Sequence, residues 1–172
     1  MRTSRNLALL FYITTLLFIS CENKSAFNSE FDKSLDTWKS TKKSNGNSYS
    51  YTVSFGSVFG FGSETTILVD NDVVIGRTYE AYQLNGNEKV IVESWVENEN
   101  ELGSHEVGAD TITLDQIYNA CENDILTVSE DDNFITFLTE NDGIISTCSY
   151  FPKNCQDDCS VGYNISSIVW VD

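Results

Sequence analysis

Residues 48–55 alternate Ser48, Ser50, Thr52 and Ser54 with Tyr49, Tyr51, Val53 and Phe55. Strict period-two alternation puts hydroxyls on one face and large apolar side chains on the other, so it specifies a half-buried β-strand. The pattern recurs along the chain. Residues 65–69 and 73–79 flank Asp70, Asn71 and Asp72 and read as a hairpin, and residues 89–96 follow a turn at Asn85 and Gly86. Residues 134–139 and 144–150 form a second hairpin through Asn141, Asp142 and Gly143, and residues 163–171 supply a last strand. A long acidic loop at 97–110 separates the two groups.

Two segments carry helical spacing. Phe27, Phe31, Leu35 and Trp38 lie four, four and three residues apart, a single apolar stripe over about three turns, with Ser29 and Asp32 resembling a capping start. The polar run 42–47, with Ser44, Asn45, Gly46 and Asn47, reads as the turn that follows. Thr113 and Gln116 form a capping-box pair ahead of Leu114, Ile117, Tyr118, Cys121, Ile125 and Val128. The order of helix, strands, helix, strands predicts an α+β fold, an antiparallel sheet with two helices packed on one face.

The first twenty residues have a different character. Arg2 and Arg5 precede an uncharged apolar run at 7–19, then Ser20 and Cys21. The run is shorter than the roughly 20 residues a transmembrane helix needs, so it reads as a lipoprotein signal peptide at 1–20. Cys21 is then the lipidated first residue of the mature chain, 21–27 a tether reaching ~20 Å, and 28–172 a single extracytoplasmic domain. Phe18 departs from the residue types usual three places before such a cysteine, and ordinary secretion with Cys21 as a thiol is the competing reading.

Cysteine usage fits an oxidising compartment. Beyond Cys21 there remain Cys121, Cys148, Cys155 and Cys159, which can pair in three ways. Nearness in the chain favours Cys155 with Cys159 and leaves Cys121 with Cys148. A zinc site lacks closely spaced ligand pairs, and the only histidine, His105, lies far along the chain from Cys155 and Cys159.

The net charge is −16; losing Arg2 and Arg5 would leave eight basic against 26 acidic residues, or −18. Nucleic acid is excluded as a partner, because its binding depends on neutralising phosphates. Charge is also uneven. Residues 22–43 hold five lysines and four acids, whereas the chain beyond them has Arg77, Lys89 and Lys153 against 22 acids. The expectation is that the first helix faces an anionic membrane while the acidic body points away.

No catalytic constellation is found. His105 and Glu106 begin a zinc-protease motif, but Ala109 stands where its second histidine belongs, and Gly103 and Gly108 point to a loop. A single histidine in a flexible acidic loop is a poor base for a serine or cysteine nucleophile. Asp70, Asn71 and Asp72, the pair Asp131 and Asp132, or Asp157 and Asp158 supply oxygens suited to calcium, yet none has the spacing of a twelve-residue calcium loop. No metal or other cofactor is assigned. Phe55, Phe59 and Phe61, set among the glycines of 56–62, either form an exposed binding patch or fold inward around a bulge.

Trp38 near the end of the first helix and the strand Tyr49-Ser50-Tyr51-Thr52-Val53 resemble the opening of a domain of unknown function found in bacterial lipoproteins and secreted proteins. Ile67-Leu68-Val69, Val73-Val74-Ile75, the helix near Ile117 and Tyr150-Phe151-Pro152 extend the likeness over most of 31–171. Members often carry cysteines after the first strand, where this chain has Gly56, Phe59, Phe61 and Gly62; the 155–159 loop is this chain's own. The resemblance implies location and fold type, and carries no activity. The resulting expectation is a non-catalytic binding or structural module of the cell envelope, held to a membrane by lipid and meeting an envelope protein. The alternative is a small acidic inhibitor that engages a basic protein partner.

Overall fold

The computed structural model describes residues 26–156 and 159–171. Cys21, the leader ahead of it, Asp157 and Asp158 lie outside them. The elements are α1 (Ala26–Asn45), β1 (Tyr49–Gly56), β2 (Phe61–Asp70), β3 (Val73–Asn85), β4 (Glu88–Asn98), a 3-10 turn (Glu99–Glu101), α2 (Leu114–Ala120) running into a π turn (Cys121–Ile125), β5 (Asn133–Leu138), β6 (Thr147–Pro152) and β7 (Val161–Trp170). The strands form one seven-stranded sheet in the order β4-β3-β2-β1-β7-β6-β5. Neighbouring strands are antiparallel throughout. Strands dominate this α+β architecture.

β7 joins two meanders. Its C-terminal half pairs with β1, from Tyr49 opposite Trp170 to Val53 opposite Ile165. Its N-terminal half pairs with β6, from Tyr150 opposite Val161 to Thr147 opposite Asn164. β1 therefore has neighbours on both sides, and Tyr49 and Tyr51 are buried on it beneath Trp38 and the Ile112–Leu114 backbone.

The first helix is longer than three turns. It starts at Ala26, ahead of the Ser29 start expected from capping, and continues to Asn45 through residues expected to form a turn. Polar side chains near its end bond back onto the helix: Ser44 Oγ donates to the Ser40 carbonyl at 3.1 Å and Asn45 Nδ2 to the Thr41 carbonyl at 3.0 Å. Lys42 and Lys43 sit in the last turn, where positive charge suits the helix dipole. Gly46 ends the helix at φ 97°, its N–H donating to the Lys42 carbonyl at 2.9 Å, a conformation glycine adopts without steric cost.

Other boundaries shift for similar reasons. β2 begins at Phe61 and β3 extends to Asn85, because Phe61 pairs with Gln83 and Gly62 with Tyr82. β4 takes in Glu97 and Asn98, which the sequence assigned to the acidic loop. Ile144 and Ile145 precede β6 instead of opening it; both are buried, and the Ile145 N–H donates to the Tyr118 hydroxyl at 3.0 Å.

The helices reach the core through different contacts. Trp38 of α1 stacks on Trp170 at 5.6 Å and meets Tyr49 edge-on at 5.1 Å, while Phe31 meets Tyr118 and Phe137. Leu114 of α2 donates its N–H to the Tyr49 hydroxyl at 3.1 Å. Ser34 Oγ lies 2.7 Å from the Tyr118 hydroxyl, so the two helices share a buried hydrogen bond. Lys42 forms ion pairs with Asp72, in the β2–β3 turn, and with Asp115 of α2. Cys121 pairs with Cys148 and Cys155 with Cys159, at Cα separations of 6.1 and 6.3 Å, within the range disulfides span. The Cys121–Cys148 bridge fixes the π turn to β6.

Candidate functional site

β1 and β2 are joined by Ser57, Val58, Phe59 and Gly60. The Gly60 N–H donates to the Ser57 carbonyl at 3.0 Å and the Ser57 N–H to the Phe61 carbonyl at 2.7 Å, while Gly60 takes φ 84°. This tight closure turns the tip side chains outward. Val58 is 97% exposed, Phe59 82%, and Phe55 and Phe61 each 53%. Of the two alternatives for these phenylalanines, the exposed arrangement is the one adopted.

The β3–β4 hairpin lies beside this tip and continues its surface. The Leu84 N–H donates to the Gly60 carbonyl at 2.7 Å, and the Tyr82 ring lies so close over Gly62 that an added Cβ would sit 2.5 Å from it. Leu84, Val90, Ile91 and Val92 are exposed along the same two strands. Eight of the seventeen large exposed apolar side chains among the described residues therefore gather on two neighbouring hairpins. Scattered single apolar residues are ordinary on a protein surface, whereas these lie close together. The sequence held a signal that its turn chemistry obscured: no charged side chain occurs from Ser44 to Ser63 in a chain of net charge −16.

Two shallow grooves flank Phe55. One, of about 360 Å³, opens where β1 and β7 part and is lined by Val53, Phe55, Phe151, Tyr163 and Asn164. Asn164 bridges this parting, donating from Nδ2 to the Ser54 carbonyl at 3.3 Å. The other, of about 240 Å³, lies between Phe55, Ser63, Thr65 and Gly108. Among the described residues, no charged side chain lines either groove.

The histidine loop has a structural role that sequence reasoning missed. Arg77 of β3 and Glu97 of β4 are opposite one another and buried, joined by two hydrogen bonds at 2.9 and 2.8 Å. Glu97 also accepts the N–H groups of Gly103 and His105, the Ser104 hydroxyl and a contact from His105 Nδ1. Arg77 donates onward to the carbonyls of His105 and Ala109. The His105 ring stacks on Trp95 at 4.1 Å, and Trp95 on Tyr79 at 5.0 Å. His105 is thus part of a clasp that ties its loop down, in contrast to the flexible loop expected. Hydrogen bonding from Arg77 holds the Glu97 carboxyl well below the usual carboxylate range; burial pushes the other way, and the N–H groups of His105 and Gly103 add to the lowering.

The acidic turns serve the fold. Asp70 accepts the Ser48 hydroxyl at 2.6 Å and Asn71 Nδ2 at 3.2 Å, while Asp72 pairs with Lys42. Lys42 is therefore occupied within the fold, which removes one lysine from the set expected to face a membrane. Lys153 donates to the carbonyls of Glu130 and Asp131. Among the described residues, no three His, Cys, Asp or Glu side chains come together to hold a metal ion, and no helix is long and apolar enough to cross a membrane. Comparison with protein families, curated proteins and solved structures finds no match to this chain.

Proposed function

We propose that the protein is a lipid-anchored component of the bacterial cell envelope, tethered through Cys21, that acts as a non-catalytic binding or structural module of the lipoprotein family it resembles. The observation that carries this reading is the apolar hairpin end, Phe55, Val58, Phe59 and Phe61, displayed on an otherwise strongly acidic chain. The leader at 1–20 supports the address, and two disulfides suit an oxidising compartment. In this reading residues 28–172 act as one domain with both helices on the same face of the sheet. Trp38 against Tyr49, and Leu114 on the Tyr49 hydroxyl, support that placement.

The test is the intact mass of the protein extracted from membranes of cells expressing the full chain, before and after reduction. The expected result is a lipid-sized increment on a chain beginning at Cys21, with a gain of four hydrogen atoms as the reductant opens both disulfides. A lipid-free chain with another start would overturn the anchor. The net charge of −16 favours a second reading, an acidic inhibitor of a basic protein. Partner recovery that falls steeply with salt supports the inhibitor; salt-insensitive recovery lost in Phe59→Ser supports recognition through the hairpin end.

A further inference from the structure

The two apolar hairpins and the start of α1 lie at the same end of the sheet. Trp38 sits over Tyr49 and Trp170, which face each other at the first residue of β1. Seven residues earlier, Phe31 contacts Phe137, which is opposite Cys148, which in turn is opposite Tyr163. Tyr163 lies two residues beyond Ile165, the partner of Val53, so this level is that of Phe55 near the far end of β1. Going backwards along α1, from Trp38 to Ala26, therefore leads toward the end where the β1–β2 and β3–β4 hairpins project. The polar Asp70-Asn71-Asp72 turn occupies the opposite end, bonded to Asn47 and Ser48 at the start of β1.

We infer that the β1–β2 hairpin tip, led by Val58 and Phe59 and widened by Phe55, Phe61 and Leu84, is a second membrane contact that enters the interfacial layer of the bilayer holding the N-terminal lipid. The inference rests on the lipid-anchored reading, because α1 begins at this end and only four residues separate Cys21 from Ala26. Burying exposed phenylalanine and valine in the interface stabilises the contact in proportion to the apolar area removed from water, and a second attachment stabilises a lipid-anchored chain. The β1–β2 tip itself has no charge to desolvate, because the run 44–63 is uncharged, and on the neighbouring hairpin Lys89 is paired with Glu64.

Charge selects the lipid. The other side of this end carries Glu130, Asp131 and Asp132, with Lys153 bonded to backbone carbonyls there, and the whole chain is at −16. The contact is therefore tilted, hairpin tips inward, and favours zwitterionic over anionic headgroups.

The test uses the full chain, extracted from membranes and reconstituted in phosphatidylcholine vesicles containing brominated lipid. Phe59→Trp places a reporter at the tip, and Val73→Trp places one at an exposed site beside the polar turn at the opposite end. After subtraction of the parent emission from Trp38, Trp95 and Trp170, the tip reporter is expected to be blue-shifted and quenched and the Val73 reporter neither. Phosphatidylglycerol is expected to weaken the tip quenching. Unchanged melting of both variants checks the fold. Equal, negligible quenching at both sites in a preparation whose mass shows the lipid would overturn the tip contact and leave the anchor standing. Quenching at Phe59→Trp in a lipid-free preparation would uphold the tip and remove the anchor. A tip reporter silent in pure lipid but protected by added envelope proteins would assign the surface to a protein and overturn the inference.

Discussion

A carboxylate sealed from water persists in a fold only when hydrogen bonds and an opposite charge replace its hydration, and Glu97 meets both conditions through Arg77 and the 103–105 backbone. Its carboxyl protonates far below the usual value near 4.5, so the folded state favours the ionised form. The stability it contributes is complete well above pH 4.5 and is lost progressively as the pH falls from there toward the folded value, because the unfolded carboxyl takes up its proton first. Glu97→Gln leaves Arg77 without its counter-charge and is expected to cost about 3–5 kcal/mol at pH 7. Urea unfolding at pH 7 and pH 3 checks this: the gap between parent and variant should narrow in acid. A gap unchanged with pH would mean that the pair acts through shape and not charge.

The β1–β2 hairpin separates residues that build an element from residues it displays. Gly62 belongs to the first kind, since a Cβ there would lie 2.5 Å from the Tyr82 ring and 2.8 Å from the Phe55 carbonyl oxygen. Gly62→Ala is therefore expected to destabilise by about 1–3 kcal/mol, as overpacked sites do. Phe59 belongs to the second kind, and Phe59→Ser is expected to change stability by no more than about 0.5 kcal/mol. Chemical denaturation of the two variants checks the contrast; a large loss in Phe59→Ser would make that ring part of the core. The helix α1 shows a related division, in which the side chains of Ser44 and Asn45 donate to the carbonyls of Ser40 and Thr41 within the last turns and Gly46 ends the helix.

The protein as a whole joins two meanders at the β1–β7 seam, and Cys121–Cys148 ties the segment between them to the second. Closing a loop with a separation of 27 residues restricts the unfolded chain, so removing this bridge by Cys121→Ala with Cys148→Ala is expected to lower stability by about 3–4 kcal/mol. Opening Cys155–Cys159, separated by four residues, is expected to lower it by about 2 kcal/mol. Thermal unfolding of each double variant distinguishes them, and equal losses would show that loop entropy does not control the difference.

Period-two alternation alone placed β1, and the capping box of Thr113 and Gln116 placed the start of α2, because each is written in adjacent residues. The uncharged run 44–63 and the tip phenylalanines were likewise legible as residues, though their exposure was not. The sheet order depended on β7 returning to β1 across more than one hundred residues, a choice that no local pattern encodes. The Arg77–Glu97 clasp arose in the same way. Each residue looks like an ordinary surface charge until β3 and β4 pair and the 99–112 segment folds over them. Local physics is carried by neighbours in the chain, whereas burial and the shared end of hairpins and α1 are set by contacts between distant segments.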